Sequence, residues 1–324
     1  MTVERRPQLV IVGSINRDYV LQVDRLPFAG ETVSGRELVV ADGGKGANAG
    51  VVASRLGART VIVAAVGDDE EGRQAVESLR SAGVGISLIV LTSQPTGAAL
   101  VLIGKGGENQ IAVAPGANSA LRPEAVRDAI TNQLPDAVLA NLEVSDAVVQ
   151  AAAEAALQIG ASFILDPAPA RPLSQNLIAM CSVLTPNIHE ALKLGYASVD
   201  ELLSAGAGAV VITQGGLGVE IHRPGQPSAH IDAFPVTPLD TVGAGDAFAA
   251  GVAVGLAENR NNLQRAVLLG SAAGALSTLG VGARGAEFDR HDADQLISDA
   301  GQLLNTPHTL DEQSMPPSIP RSSE

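Results

Sequence analysis

Apolar residues in this chain fall mainly in short unbroken runs, each closed by glycine or a polar turn. Leu9-Val10-Ile11-Val12-Gly13 is the first. A run with no polar side reads as a strand of a parallel sheet covered on both faces. Similar runs at 60–66, 86–91, 137–142, 162–165, 182–184 and 209–213 predict further strands. Between them, 49–56, 69–81, 124–132, 146–159 and 187–194 read as helices, with Gly57 and Gly83 as stops. Helices at 263–278 and 293–304 follow. This alternation predicts an α/β fold, a three-layer α/β/α sandwich around a mostly parallel sheet.

Two regions break the pattern. Residues 19–24 and 38–42 alternate loosely around Pro27 and Gly30-Glu31, as short antiparallel strands standing off the main sheet do. Residues 98–103 and 110–114, joined by Gly104-Lys105-Gly106-Gly107, read as a hairpin. Together they predict a small accessory sheet, a lid. The expected domain spans 8–305. The polar, Pro/Ser-rich segment 306–324 is expected to be disordered.

Composition narrows the function classes. With 46% hydrophobic and 17% charged residues, the 324-residue chain can build one large core. Aromatics are 2% and Trp is absent, so platforms for stacking bases are lacking. A net charge of −14 opposes nucleic acid and anionic membranes alike. Cys181 is alone, and no Cys/His spacing fits zinc. Residues 1–7 are polar, without the apolar stretch of a signal peptide, and no run suits a bilayer span. A soluble, cytoplasmic protein is expected.

The candidate chemistry centres on Asp240-Thr241-Val242-Gly243-Ala244-Gly245-Asp246, which leads into a small-residue helix over 247–257. Glycines at such a junction let backbone amides approach an anion, and the helix mouth carries partial positive charge. Asp246 there suits proton removal from a hydroxyl while the amides hold charge building on a phosphoryl group. Taken alone, the stretch reads more readily as an Asp helix cap beside packing glycines, and only the upstream stretches tip the balance.

Other stretches add donors and acceptors at strand C-terminal ends, where open α/β sheets hold ligands. Asn16 and Asp18 suit vicinal sugar hydroxyls, or form an Asx turn. Gly43-Gly44-Lys45-Gly46-Ala47-Asn48 lacks the Ser/Thr of a P-loop and reads as a ligand-approaching loop or a structural turn. Glu143 ends a strand. Asn187 and Glu190 form a capping box, or order magnesium-bound waters near a triphosphate. Thr213-Gln214-Gly215-Gly216-Leu217-Gly218 follows a strand and suits a nucleotide. Gly280-Val281-Gly282-Ala283-Arg284-Gly285 has the spacing of a dinucleotide loop but follows a helix, so that use is discounted.

Assembled, these stretches resemble the ribokinase/PfkB family of sugar kinases from about Leu9 to about Leu304. Gly13-Ser14-Ile15-Asn16-Arg17-Asp18 and Pro115-Gly116-Ala117-Asn118 point to its ribokinase branch. The resemblance implies ATP-dependent phosphorylation of ribose at its primary hydroxyl, and a homodimer made through the lid strands. It implies a sugar site of Asn16, Asp18, Gly44, Lys45, Asn48 and Glu143, with Asp246 as the base and Gly243, Ala244 and Gly245 as the anion hole. Asn187, Glu190 and residues 213–218 would serve ATP and magnesium. Asp240 and carbonyls of Val242, Leu276 and Gly282 would hold an activating potassium. The chain departs from the family in three places. Residues 278–282 are one residue longer, Ala286 replaces a Ser, and Gly270 stands where a larger polar residue meets adenine. A family member acting on a nucleoside, deoxyribose or another sugar, and a non-catalytic sugar-binding regulator, stay open as alternatives.

Overall fold

The structure, a computed structural model, describes residues 5–106 and 108–304. The predicted tail at 306–324 lies outside the described residues. Among them a nine-stranded sheet runs, in spatial order, Ala229–Ile231, Val219–His222, Val210–Thr213, Val183–Leu184, Ser162–Asp166, Ala137–Asn141, Gln8–Val12, Arg59–Gly67 and Gly85–Thr92. All neighbouring pairs are parallel except the two that involve Val219–His222. Those two edge strands and the Ser-capped helices Gln175–Met180 and Val199–Ser204 are absent from the sequence reading. Such short edge strands have little pattern of their own and form by pairing with a sheet already present.

The unbroken apolar runs are explained by the two cores. Leu9 and Ile11 pack on one side with Val52, Phe248 and Val252. Val10 and Val12 pack on the other with Val126, Val148 and Phe163. Each position from Leu9 to Val12 therefore buries its side chain, at about 1.5–3 kcal/mol for a large one. Helices Lys45–Arg55, Ala244–Glu258 and Leu263–Ser277 cover the first face, and Pro123–Gln133 and Asp146–Ile159 the second.

The predicted accessory strands form a second sheet of four, in order Gly35–Gly43, Asn16–Val23, Gly97–Gly104 and Asn109–Ala114. Its outer pairs are antiparallel, as expected, while Asn16–Val23 and Gly97–Gly104 run parallel. Asn16–Val23 starts only four residues after Gln8–Val12 ends. The small sheet is thus attached directly at the C-terminal edge of the large one. Among the described residues no helix is long and apolar enough to cross a membrane.

Candidate active site

Because the central strands are parallel, their C-terminal ends share one edge, and five of them deliver polar residues there. They lead to Ser14 and Asn16, to Glu143, to Asp166, to Asn187, and to the loop after Thr213. Two helices close the cleft. Lys45–Arg55 begins after Gly44 at φ 90°, and Ala244–Glu258 after Gly243 at φ 80°. Only glycine adopts that backbone readily, and neither supplies a capping side chain; Lys45 and Ala47 N–H are taken by Glu143 and the Ser14 carbonyl, so the free first-turn amides lie mainly at the second helix.

Asp246 is the third residue of its helix and buried; Gly243 holds the cap position, so capping is not the use of Asp246. The amides need a one-residue correction. Ala244 N–H is committed to the Thr241 carbonyl at 3.2 Å, whereas, among the described residues, the N–H groups of Gly243, Gly245 and Asp246 meet no acceptor. Lys45 Nζ donates to Asp246 Oδ1 at 3.1 Å, and Asn48 Nδ2 donates to Oδ2 at 2.8 Å. Burial lowers the pKa of Lys45, but Asp246, Asp166 and Glu143 outweigh it, so the ammonium lies above its ordinary range and stays charged.

The predicted sugar residues come together beside this pair. Glu143 Oε2 accepts from Lys45 N–H at 3.1 Å and from Ser14 Oγ, a partner the sequence reading missed. Asn118 grips the Ile15 backbone from both sides and donates to Asn16 Oδ1 at 2.7 Å. That fixes Asn16 with its Nδ2 free to donate. Asn16 and Asp18 share one face of their strand, being two residues apart. Asp18 Oδ1 is buried without a partner, which marks a group awaiting a ligand or water. Burial, then the nearby Glu143 charge, pushes the Asp18 carboxyl up to about 6.

On the other side of Asp246 lies a cavity of about 290 Å³, lined by Thr213, Gly215, Gly216, Gly218 and Gly245, with Phe234 and Phe248 as walls. Gln214 and Leu217 do not line it; Gln214 closes its loop on Gly218, and Leu217 is exposed. Gly270 is also elsewhere. It packs on the helix Ala244–Glu258, where an added Cβ would lie 2.7 Å from the Phe248 carbonyl. The polar residue facing the cavity is the next one, Ser271, whose buried Oγ has no partner.

The Asn187–Glu190 capping box is complete, at 2.9 and 2.8 Å, and uses one oxygen of Glu190. A bridge to Thr213 places the pair at the cavity's rim. Asp166, absent from the sequence reading, is buried beside Lys45, Glu190 and Asp246. Desolvation, with its acidic neighbours, pushes it up to about 8. Among the described residues no hydrogen-bond donor reaches its carboxylate. Asp240 accepts from Val242 N–H at 3.0 Å and Gly282 N–H at 2.8 Å, so three of the four residues named for potassium lie together, joined here through amides and not through the carbonyls expected to bind. Leu276 lies at the end of the preceding helix, its carbonyl accepting from Leu279. The same loop carries Arg284, largely buried and bonded to Asn48 and to Gly43. Its Gly-rich setting was legible, but nothing in the spacing pointed to those partners.

Similarity to known proteins agrees with this geometry. The model of the pfkB family carbohydrate kinases matches residues 6–288. The chain is similar to the ribokinase of Bacillus subtilis, 36% identical over 293 residues that cover 90% of this chain and 99% of that one. The Haemophilus influenzae ribokinase is 34% identical over 307 residues, covering 91% and 100%. The structure of Arabidopsis thaliana ribokinase complexed with ribose and ATP superposes with a TM-score of 0.80 at 28% identity, over 90% of this chain and 99% of that one.

Proposed function

Because the chain belongs to the pfkB family of carbohydrate kinases, we propose that it phosphorylates D-ribose with ATP at the 5-hydroxyl, giving ribose 5-phosphate and ADP. One observation carries the reading. Asp246 stands at a helix mouth between a polar cluster sized for a sugar and a cavity suited to a nucleotide, with unpartnered amides beside it. Phosphoryl transfer has a loose transition state, so positioning and charge stabilisation do most of the work.

In this reading Asn16, Asp18, Glu143 and Lys45 hold the sugar hydroxyls, with Gly44 letting the backbone come close. Asp246 accepts the proton of the primary hydroxyl. When sugar enters, Lys45 turns from Asp246 toward substrate oxygens, which frees the carboxylate. The amides of Gly243, Gly245 and Asp246 receive the charge on the transferring group. Thr213 and the glycines at 215, 216 and 218 hold the nucleotide, with Ser271 facing the base.

Asp166 and the free oxygen of Glu190 are an oxygen-only, sparsely bonded pair, which fits a hydrated magnesium. Magnesium bound there would neutralise phosphate charge. The Asp240 carboxylate would hold a potassium-sized cation with the carbonyls of Val242 and Gly282, whose N–H groups bring those residues to it, and with Leu276 as a more distant carbonyl. The small sheet acts as a lid that excludes water. It exposes Leu38, Val40 and Leu100, an apolar surface that a second subunit covers through its own lid.

A sugar panel with coupled ADP detection, run at several potassium concentrations, tests the reading. The highest kcat/KM is expected for ribose. Preference for a nucleoside, deoxyribose or another sugar would replace the substrate, and ribose binding without ATP turnover would make the protein a regulator. Sedimentation showing only monomer at micromolar concentration would remove the dimer.

A further inference from the structure

We infer that Arg284 is a positioning residue for the reaction, acting on Asp246 through the side-chain amide of Asn48. This rests on the reading of Asp246 as the base. Asn48 stands between two opposite charges. Its Oδ1 accepts from Arg284 Nε at 2.9 Å, and its Nδ2 donates to Asp246 Oδ2 at 2.8 Å. An amide has one accepting and one donating end. Turned over, it would set its NH₂ against a guanidinium and its oxygen against a carboxylate. The cation on one side therefore fixes which end meets Asp246 on the other.

Arg284 is itself held at Nε and at Nη2, while its buried Nη1 makes no hydrogen bond among the described residues. Its Nη2 donates to the Gly43 carbonyl at 3.0 Å, and its Nη1 lies 3.8 Å from Asp42 Oδ2. Asp42 is in turn paired with Arg17 on the small sheet. The loop that carries Arg284 is pinned before it by Asp240 on Gly282 N–H at 2.8 Å, and after it by Arg55 on the Ala286 carbonyl at 2.6 Å. A buried guanidinium fork in a pinned loop is a rigid reference point, and a lysine there keeps the charge but loses the fork. The Arg284–Asn48 bond also ties Asp246 to the loop that holds the candidate potassium residues and, through Asp42, to the small sheet.

The test is a double-mutant cycle on kcat at saturating ribose and ATP, using Arg284→Gln, Asn48→Ala and the pair. If Arg284 acts through Asn48, Arg284→Gln lowers kcat about 10- to 100-fold in the native background, the scale of a reacting group misplaced by about 1 Å. The same change has little further effect once Asn48 is alanine. KM for ATP stays at its native value, because Arg284 does not line the nucleotide cavity. Equal kcat losses in both backgrounds, or no loss in either, overturn the positioning role. Should Arg284→Gln fail to fold, Arg284→Lys runs the same cycle under the same criterion. Asp246→Asn, measured in parallel, separates the two claims. Retained turnover there removes the base assignment, whereas lost turnover beside multiplicative Arg284 effects removes only the positioning role.

Discussion

Lys45 and Asp246 are 201 positions apart in the chain and meet at 3.1 Å. The pair joins the first turns of two helices, one from the front of the chain and one from the back. Asp246 is buried, so its charge needs a partner while no substrate is bound. Lys45 supplies that partner without leaving reach of the sugar residues. The proposed base thus has a cationic partner in place before any substrate binds.

Replacing that base gives the first prediction. Asp246→Asn preserves shape and still accepts a hydrogen bond from Lys45, but it takes no proton. We expect kcat to fall at least about 10²-fold, within the ~10²–10⁴ range for a positioned base. Ribose binding, measured by calorimetry, should be retained. A native kcat would end the assignment.

Asp18 gives a pH dependence. Its carboxyl is raised from 3.8 to about 6, burial being the largest cause and Glu143 the next. Sugar hydroxyls donate to the ionised form, so protons compete with ribose. KM for ribose should climb about tenfold per pH unit below about 6, and the climb should vanish in Asp18→Asn. Stability has the opposite sign. A raised carboxyl favours the folded state while protonated, and that contribution is lost as pH rises from 3.8 to about 6. Flat KM between pH 5 and 7 would contradict both the shift and the contact.

Much of this site was legible in the sequence, because each of its main stretches is local and chemically loud. Gly44-Lys45 and Gly243 announce helix mouths by glycine alone, and unbroken apolar runs announce a parallel sheet, whose C-terminal edge is where such ligands bind. Asn16, Glu143 and Asn187 could be placed from strand ends without any coordinates. What stayed hidden depends on long-range packing. Asp166 looks like an ordinary strand-end acid until burial and four charged neighbours surround it. Ser271 and Gly270 differ by 100° around one helix, which one residue of misplacement in the reading reversed. Arg284 sits in a glycine-rich loop whose spacing says nothing of Asn48, 236 positions earlier. The start of Ala244–Glu258 was read late because Gly and Ala in its first turn look like loop.

Ser271 separates binding from stability. Its Oγ is buried, lacks a partner and faces the cavity assigned to the nucleotide. A buried hydroxyl left unsatisfied costs about 1–3 kcal/mol. Ser271→Ala should therefore stabilise the ligand-free protein by about 1 kcal/mol, read from urea unfolding. It should also raise KM for ATP several-fold while leaving kcat near native. A loss of stability, or an unchanged KM, would mean the hydroxyl serves packing and not the base.

Asp166 and Glu190 test the magnesium assignment against each other. Glu190 already spends one oxygen on Asn187 N–H at 2.8 Å, while no hydrogen-bond donor among the described residues reaches Asp166. Asp166→Asn removes half of the oxygen pair and also a carboxylate crowded by Glu190, Glu143 and Asp246. We expect the magnesium concentration for half-maximal rate to rise about tenfold or more, as removal of a ligating or supporting carboxylate typically does. Without metal, and above about pH 8 where the Asp166 carboxyl is ionised, the same substitution should raise Tm, because it relieves like-charge repulsion that the metal otherwise offsets. Glu190→Gln should also weaken magnesium but lower Tm, since it weakens the capping box. If Asp166→Asn left the magnesium requirement unchanged while still raising Tm, the carboxylate would be a strained neighbour of the site with no hand in holding the metal.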